Sequence, residues 1–184
     1  MENSDRHLSD LVHQWEEQRP DLDPTPFRLV AVTMQLAQLL ESEFRALGQA
    51  QYGIGSGDLR ILMALRRSGP PYSLRPTDLF KSLLIGSGTV TKQVDRLAEA
   101  GYVKKVLPKG AKLRRVITLT PKGVRAADHA QEAIATSLCG IAPTLAALPH
   151  GDVQTMLRSL EQVHAAALAC QAPANDNGEA ESDQ

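Results

Sequence analysis

Lysine and arginine side chains crowd one stretch of the chain, and no acidic residue interrupts them. Eight basic residues lie between Lys104 and Arg125, whereas acidic residues are concentrated near the two ends, so the net charge of −1 hides a strongly basic segment. Ammonium and guanidinium groups at this density bind phosphate, which makes a nucleic-acid backbone the natural partner. A solvated basic hairpin without a partner is the alternative interpretation.

The elements predicted around this segment can place a helix in a DNA groove. A short helix is expected from Arg75 to Leu83 and a second from Gly88 to Ala100, followed by strand-like runs at 102–107 and 113–119. In a winged helix-turn-helix, the second helix enters the major groove, the first braces it, and the hairpin contacts neighbouring phosphates. The alternative is a winged helix that binds a protein instead of DNA.

The groove helix is predicted to have two unlike faces, with Val90, Val94 and Leu97 packed inward and polar side chains outward. The predicted DNA contacts come from the bracing helix, the groove helix and the hairpin. They are Arg75, Thr77, Ser87, Thr89, Thr91, Lys92, Gln93, Arg96, Lys109, Lys112, Arg114 and Arg115.

Apolar periodicity predicts a mainly α-helical fold, with further helices at 8–18, 26–47, 58–68, after Pro121, and at 151–170. Gly48 is expected to start a loop, and Gly140 and Pro143 to interrupt the helical stretch after Pro121. The predicted organisation has four parts. These are N-terminal dimerisation helices in 1–57, the winged helix-turn-helix in 58–121, C-terminal dimerisation helices in 122–170 and a disordered acidic tail in 171–184.

Nothing in the sequence resembles an active site or a metal site. The five histidines are scattered, and Cys139 and Cys170 lack metal-ligand spacing and are expected to be buried or half-buried. We therefore expect no catalytic residue, no metal and no cofactor. A reactive Cys139, which would make the protein a thiol-based redox sensor, remains an alternative.

Neither end of the sequence nor its interior predicts contact with a membrane. No run of about 18 apolar residues occurs, and the acidic, polar N-terminus lacks the pattern of a signal peptide. A cytoplasmic location is expected.

Several short segments together resemble the multiple antibiotic resistance regulator (MarR) family. The resemblance implies a homodimeric transcriptional regulator, typically a repressor, whose two winged domains straddle a pseudo-palindrome with half-sites roughly 10 bp apart. The matching segments are 65–67, 76–79, 90–97, 100–103 and 119–123, and residues 15–23 resemble the extra N-terminal helix of the urate-responsive branch.

The chain departs from that family pattern at two sites. The Asp-x-Arg signature of the wing is replaced by Ala111-Lys112-Leu113, and of the urate-pocket residues only Trp15 is kept, since Arg60, Gln93 and Lys105 occupy the other positions. An Arg in place of an Asp reverses the local charge preference, so urate is not the expected ligand.

We instead predict that the pocket binds a small aromatic carboxylate. Arg60 would hold the carboxylate in a fork geometry, Trp15 would cover the ring, and Lys105 would line the same pocket. In the alternative, Arg60 forms an ordinary salt bridge with Glu16 or Glu17, and Trp15 belongs to the core.

Overall fold

The computed structural model describes residues 2–83, 87–107, 115–137 and 140–171. Eight helices and three short strands are defined within these ranges. They are α1 (Glu2–Gln18), α2 (Thr25–Tyr52), α3 (Ser56–Arg67), β1 (Ser73–Leu74), α4 (Pro76–Leu83), α5 (Ser87–Glu99), β2 (Val103–Val106), β3 (Val116–Leu119), α6 (Pro121–Thr136), α7 (Ile141–Ala147) and α8 (His150–Gln171).

Helix α3 is the centre of the core. Its Leu59, Leu62 and Leu65 recur at spacings of three residues and are fully buried. Asp58 in the first turn and basic residues in the last turn suit the helix dipole. Helix α6 packs against α3 through a row of small residues, which lets the two helices approach closely. That row consists of Ala126, Ala127 and Ala130.

The predicted hairpin is present as β2 and β3, and it forms the edge and centre of a three-stranded antiparallel sheet with the order β1-β3-β2. The third strand, β1, was not predicted. Its two residues are too few to show a period, and it is held by pairing with β3 and by a 2.7 Å bond between the hydroxyls of Ser73 and Thr118. The sheet therefore joins the wing, which is the β2–β3 hairpin, to the segment before α4.

The prediction that Gly48 starts a loop is wrong. Helix α2 continues to Tyr52, and Gly48 is buried inside it because the backbone of Ile54 folds back against this position. A Cβ on Gly48 would lie 2.6 Å from the carbonyl oxygen of Ile54. The helix ends instead at Gly53, whose φ of 64° is the left-handed conformation of a helix C-cap.

Residues 1–139 and 140–184 form two compact units. The second contains α7 and α8, and the predicted interruption is confirmed, since α7 starts after Gly140 with a φ of 78°. Cys170 on α8 is exposed, which contradicts its predicted burial, while Cys139 lies outside the described residues. The predicted disordered tail, 171–184, starts one residue too early, since Gln171 is the last residue of α8, and the rest of it lies outside the described residues.

Helix α8 carries an exposed apolar stripe. From Leu157 onward, leucine and valine side chains recur along it at spacings of three to five residues, and Met156 adjoins the first of them; each is about half exposed in the single chain. Such a stripe is typical of a helix that packs on a partner. Its members are Met156, Leu157, Leu160, Val163 and Leu168.

None of the described helices is long and apolar enough to cross a membrane. No group of three or more His, Cys, Asp or Glu side chains in the described ranges could hold a metal ion.

Candidate functional site

The inner face of α5 is packed as predicted, and this fixes which face of the helix points outward. Val90, Val94 and Leu97 are buried in the core. Thr91 and Lys92 are exposed on the opposite side. Five further predicted DNA contacts divide into two groups. Arg75, Thr77 and Arg115 are exposed around α4 and β3, whereas the side chains of Ser87 and Thr89 lie outside the described set.

The predicted outward position of Gln93 is wrong. Its side chain is only 8% exposed, and its amide lies against Gly57 of α3, where even a Cβ would meet the Gln93 Nε2 at 2.0 Å. Positions 93, 90 and 97 are three or four residues apart and share one helix face, which the sequence pattern could have indicated. Gln93 therefore packs α5 against α3 in this structure and presents no edge to a DNA base.

Arg96 is exposed as predicted, but one side of it is already bound. Its Nη2 donates to both carboxylate oxygens of Asp58 at 2.9 and 3.1 Å, and the Arg96 side chain remains 59% exposed. Asp58 is buried and also accepts a hydrogen bond from the backbone N–H of Gly55 at 3.2 Å. Sequence reasoning missed Asp58, because the pair joins residues 38 positions apart.

Lys105 lies in β2, and none of its described contacts is with Trp15 or Arg60. It forms an ion pair with Asp95 of α5. With Arg115 it also lines a cavity of ≈ 190 Å³ between α4, α5 and the sheet, whose walls are mainly apolar. The other lining residues are Pro76, Phe80, Val90, Thr91, Val94 and Ile117. The remaining predicted wing contacts, Lys109, Lys112 and Arg114, lie outside the described residues.

The described contacts do not bring the three predicted ligand residues together. Trp15 stacks on Phe27 of α2, with ring centroids 5.3 Å apart and an interplanar angle of 10°. Its 46% exposure excludes a place in the core of the single chain. Arg60 does form a salt bridge, as the alternative interpretation held, but its partner is Glu41 of α2 and not Glu16 or Glu17.

Glu41 is the acidic residue that sequence reasoning missed at this place. Its two carboxylate oxygens accept hydrogen bonds from the Ser56 hydroxyl and from Arg60 Nη2, both at 2.5 Å. The Ser56 hydroxyl, followed by the nearby positive charge of Arg60, holds the pKa of the Glu41 carboxyl below its ordinary value. The Arg60 guanidinium also lies over the ring of Phe44, with its Cζ 5.4 Å from the ring centroid. One edge of the guanidinium therefore binds Glu41 and one of its faces lies on Phe44.

Comparison with known proteins identifies the family. Residues 52–112 match the model described as the MarR family. The HTH-type transcriptional regulator PecS of Dickeya dadantii (strain 3937) is 33% identical over 118 residues, which cover 63% of this chain and 69% of PecS. The chain belongs to the MarR family.

Solved structures of MarR-family regulators share the fold. Sco3205 of Streptomyces coelicolor, solved in complex with DNA, superposes with a TM-score of 0.64 at 19% identity and covers 85% of this chain and 93% of that one. NadR in complex with 4-hydroxyphenylacetate gives a TM-score of 0.56 at 22% identity, over 71% of this chain and 88% of NadR. The predicted mainly helical winged helix-turn-helix is therefore confirmed.

MarR-family proteins are transcriptional regulators, so membership also confirms the predicted class of function and the prediction that the chain is not an enzyme. The chemistry of the site agrees with that class. An exposed polar helix face, flanked by exposed cations, is suited to binding an anion by position and charge.

Proposed function

We propose that this MarR-family chain represses transcription by binding a pseudo-palindromic DNA operator as a homodimer. The observation that carries the proposal is the two-faced α5, whose buried Val90, Val94 and Leu97 leave Thr91 and Lys92 facing outward. A helix exposed in this way can enter the major groove, while neighbouring cations bind the phosphates. The DNA complex of Sco3205 supports this role for the shared fold.

Exposed apolar side chains on the outer helices support the homodimer. On α2 the large side chains of Leu29, Val30, Met34 and Leu39 are exposed, and α8 carries the apolar stripe described above. Apolar area of this kind contributes about 25 cal/mol per Å² when a partner covers it. We infer that 1–57 and 122–170 supply the dimerisation helices, which leaves 58–121 of each copy free to bind one half-site.

Duplexes selected by the purified protein from a random-sequence library test DNA binding directly. Affinity should fall steeply as the salt concentration rises, since bound phosphates release counterions. Lys92→Ala should weaken binding to every selected duplex and lower the salt slope by about 1 per protomer. Arg28→Ala, an exposed cation on α2, is the control and should leave the slope unchanged. The lack of any duplex bound in a salt-dependent way would contradict the proposal and favour the alternative, a winged helix that binds a protein.

We further propose that a small aromatic carboxylate relieves repression by competing with Glu41 for Arg60. The Arg60 guanidinium already binds a carboxylate in this chain, and Phe44 lies beside it as an aromatic surface. NadR with 4-hydroxyphenylacetate is an example of an aromatic acid bound to this fold. A ligand that prefers one arrangement of the reading helices shifts DNA affinity by about 1–3 kcal/mol.

Calorimetric titration with benzoate-type acids separates this proposal from a purely structural Arg60. Arg60→Ala should lose binding, and Glu41→Gln should bind more tightly than the wild type because the internal competitor is neutral. Equal affinity of the wild type and Arg60→Ala would contradict the effector proposal and leave DNA binding untouched.

A further inference from the structure

The first turn of α3 contacts two other helices through alternating residues. Ser56 and Arg60 bind Glu41 of α2, each at 2.5 Å. Between them, Asp58 binds Arg96 of α5 at 2.9 and 3.1 Å. One turn of helix therefore joins the long helix α2 to the exposed helix α5.

Asp58 is fixed on its own side of this contact. Its carboxylate is 4% exposed and also accepts from the Gly55 N–H at the start of α3. A buried carboxylate is costly unless it is paired and hydrogen-bonded, and Arg96 is the cation that pairs with it. The carboxylate can therefore hold the Arg96 guanidinium at a fixed point of the surface.

Arg96 is bound to Asp58 by one nitrogen only. Both hydrogen bonds come from Nη2, whereas a guanidinium carries five N–H donors in a planar fork. The side chain stays 59% exposed although its partner is buried. Asp58 therefore fixes the direction of the Nη1 and Nε edges of the guanidinium but accepts no hydrogen bond from either.

We propose that Asp58 is a positioning residue for DNA binding, which holds Arg96 and the adjoining turn of α5 so that the guanidinium meets a phosphate. The inference rests on the proposed function, since it requires α5 to meet DNA. Asp58, a buried acidic residue distant in sequence from every predicted DNA contact, would then be one of the residues that determine DNA affinity.

The direction in which DNA affinity changes when the charge of Asp58 is removed distinguishes positioning from simple electrostatics. Asp58→Asn removes a negative charge near the DNA-binding face, so electrostatics alone would tighten DNA binding. Positioning predicts the opposite, a loss of about tenfold, within the range found for residues coupled in one ion-pair network. Asp95→Asn is the matched control, since it removes the same charge from α5 at a half-exposed ion pair with Lys105. It should bind DNA at least as tightly as the wild type.

Two further variants keep the test decisive if Asp58→Asn folds poorly. Arg96→Lys retains the charge of an exposed side chain but loses the planar fork, and it should also weaken binding about tenfold. Asp58→Glu keeps the carboxylate at the N3 position, where Glu suits a capping box, and should restore most of the affinity. Thermal unfolding of each variant shows whether it remains folded.

The experiment measures the affinity of full-length variants for duplexes selected by the wild type, over a range of salt concentrations. Weaker binding by both folded Asp58→Asn and Arg96→Lys, with Asp95→Asn unimpaired, supports positioning; if Asp58→Asn does not fold, Arg96→Lys and the rescue by Asp58→Glu decide. If Asp58→Asn and Asp95→Asn both bind as tightly as the wild type, or if Arg96→Lys binds normally, the proposal is overturned while the proposed function stands. If the wild type itself selects no duplex, the proposed function fails first.

Discussion

Glu41 of α2 and Arg60 of α3 are joined by a 2.5 Å hydrogen-bonded ion pair, and Ser56 donates a second hydrogen bond to the same carboxylate. Arg60 occupies a position that the resemblance to the urate-responsive branch assigns to a ligand residue, and the chain itself supplies a carboxylate to this arginine. In the proposed function, an effector anion would therefore have to compete with Glu41 for the same guanidinium.

The lowered pKa of Glu41 predicts how acid weakens this contact. The carboxylate form is favoured in the folded state, so its contribution to stability is present above the ordinary value of 4.5 and is lost as the pH falls through the lower folded value. Glu41→Gln should therefore lose less stability than the wild type between neutral pH and acid. Urea unfolding across this pH range measures the loss of stability, and Glu43→Gln, at an exposed position, is the control. Parallel losses in the wild type and Glu41→Gln would contradict the prediction.

Gly123 of α6 is required by close packing. A Cβ there would lie 2.1 Å from the carbonyl oxygen of Tyr102 and 3.0 Å from Leu119 Cδ2, and the oxygen belongs to backbone that cannot simply rotate away. Gly123→Ala should cost about 2–3 kcal/mol of unfolding free energy. Gly151→Ala on α8, whose Cβ would meet nothing within 4 Å, should be neutral or gain up to about 1 kcal/mol. Equal unfolding midpoints for the two variants would show that the α6 contact is looser than described.

The apolar stripe of α8 predicts that a single charged substitution within it prevents dimer formation. Leu160→Glu places a charge in the stripe and should convert the proposed dimer into monomers, because a charge buried at an interface without a partner is costly. Gln162→Glu adds the same charge outside the stripe and should remain dimeric. Sedimentation equilibrium reports the mass of each variant. A dimeric Leu160→Glu would exclude α8 from the interface.

The winged helix-turn-helix was predictable because local patterns determine it. The spacing of Val90, Val94 and Leu97 fixes the inner face of α5, and the two strand-like runs fix β2 and β3. Gly48 misled the prediction, since a glycine can mark a close approach of backbone as well as the end of a helix.

The polar contacts of the site were less predictable because they join distant parts of the chain. Glu41 and Arg60 are 19 residues apart, and Asp58 and Arg96 are 38 apart, so no local period links them. Gln93 was placed outward by its polarity, although its spacing from Val90 and Leu97 puts it on the packed face. Polar side chains are most often found at the surface, but the position of a residue along a helix determines which helix face it lies on.

Hydroxyl-radical footprinting of the protein on a selected duplex tests whether α5 of each protomer in the proposed dimer enters a DNA groove. This mode of binding predicts two protected patches related by two-fold symmetry, with centres about one helical turn, roughly 10 bp, apart. Both patches should weaken in Lys92→Ala. A single protected patch, or none under conditions where the protein is folded, would contradict it.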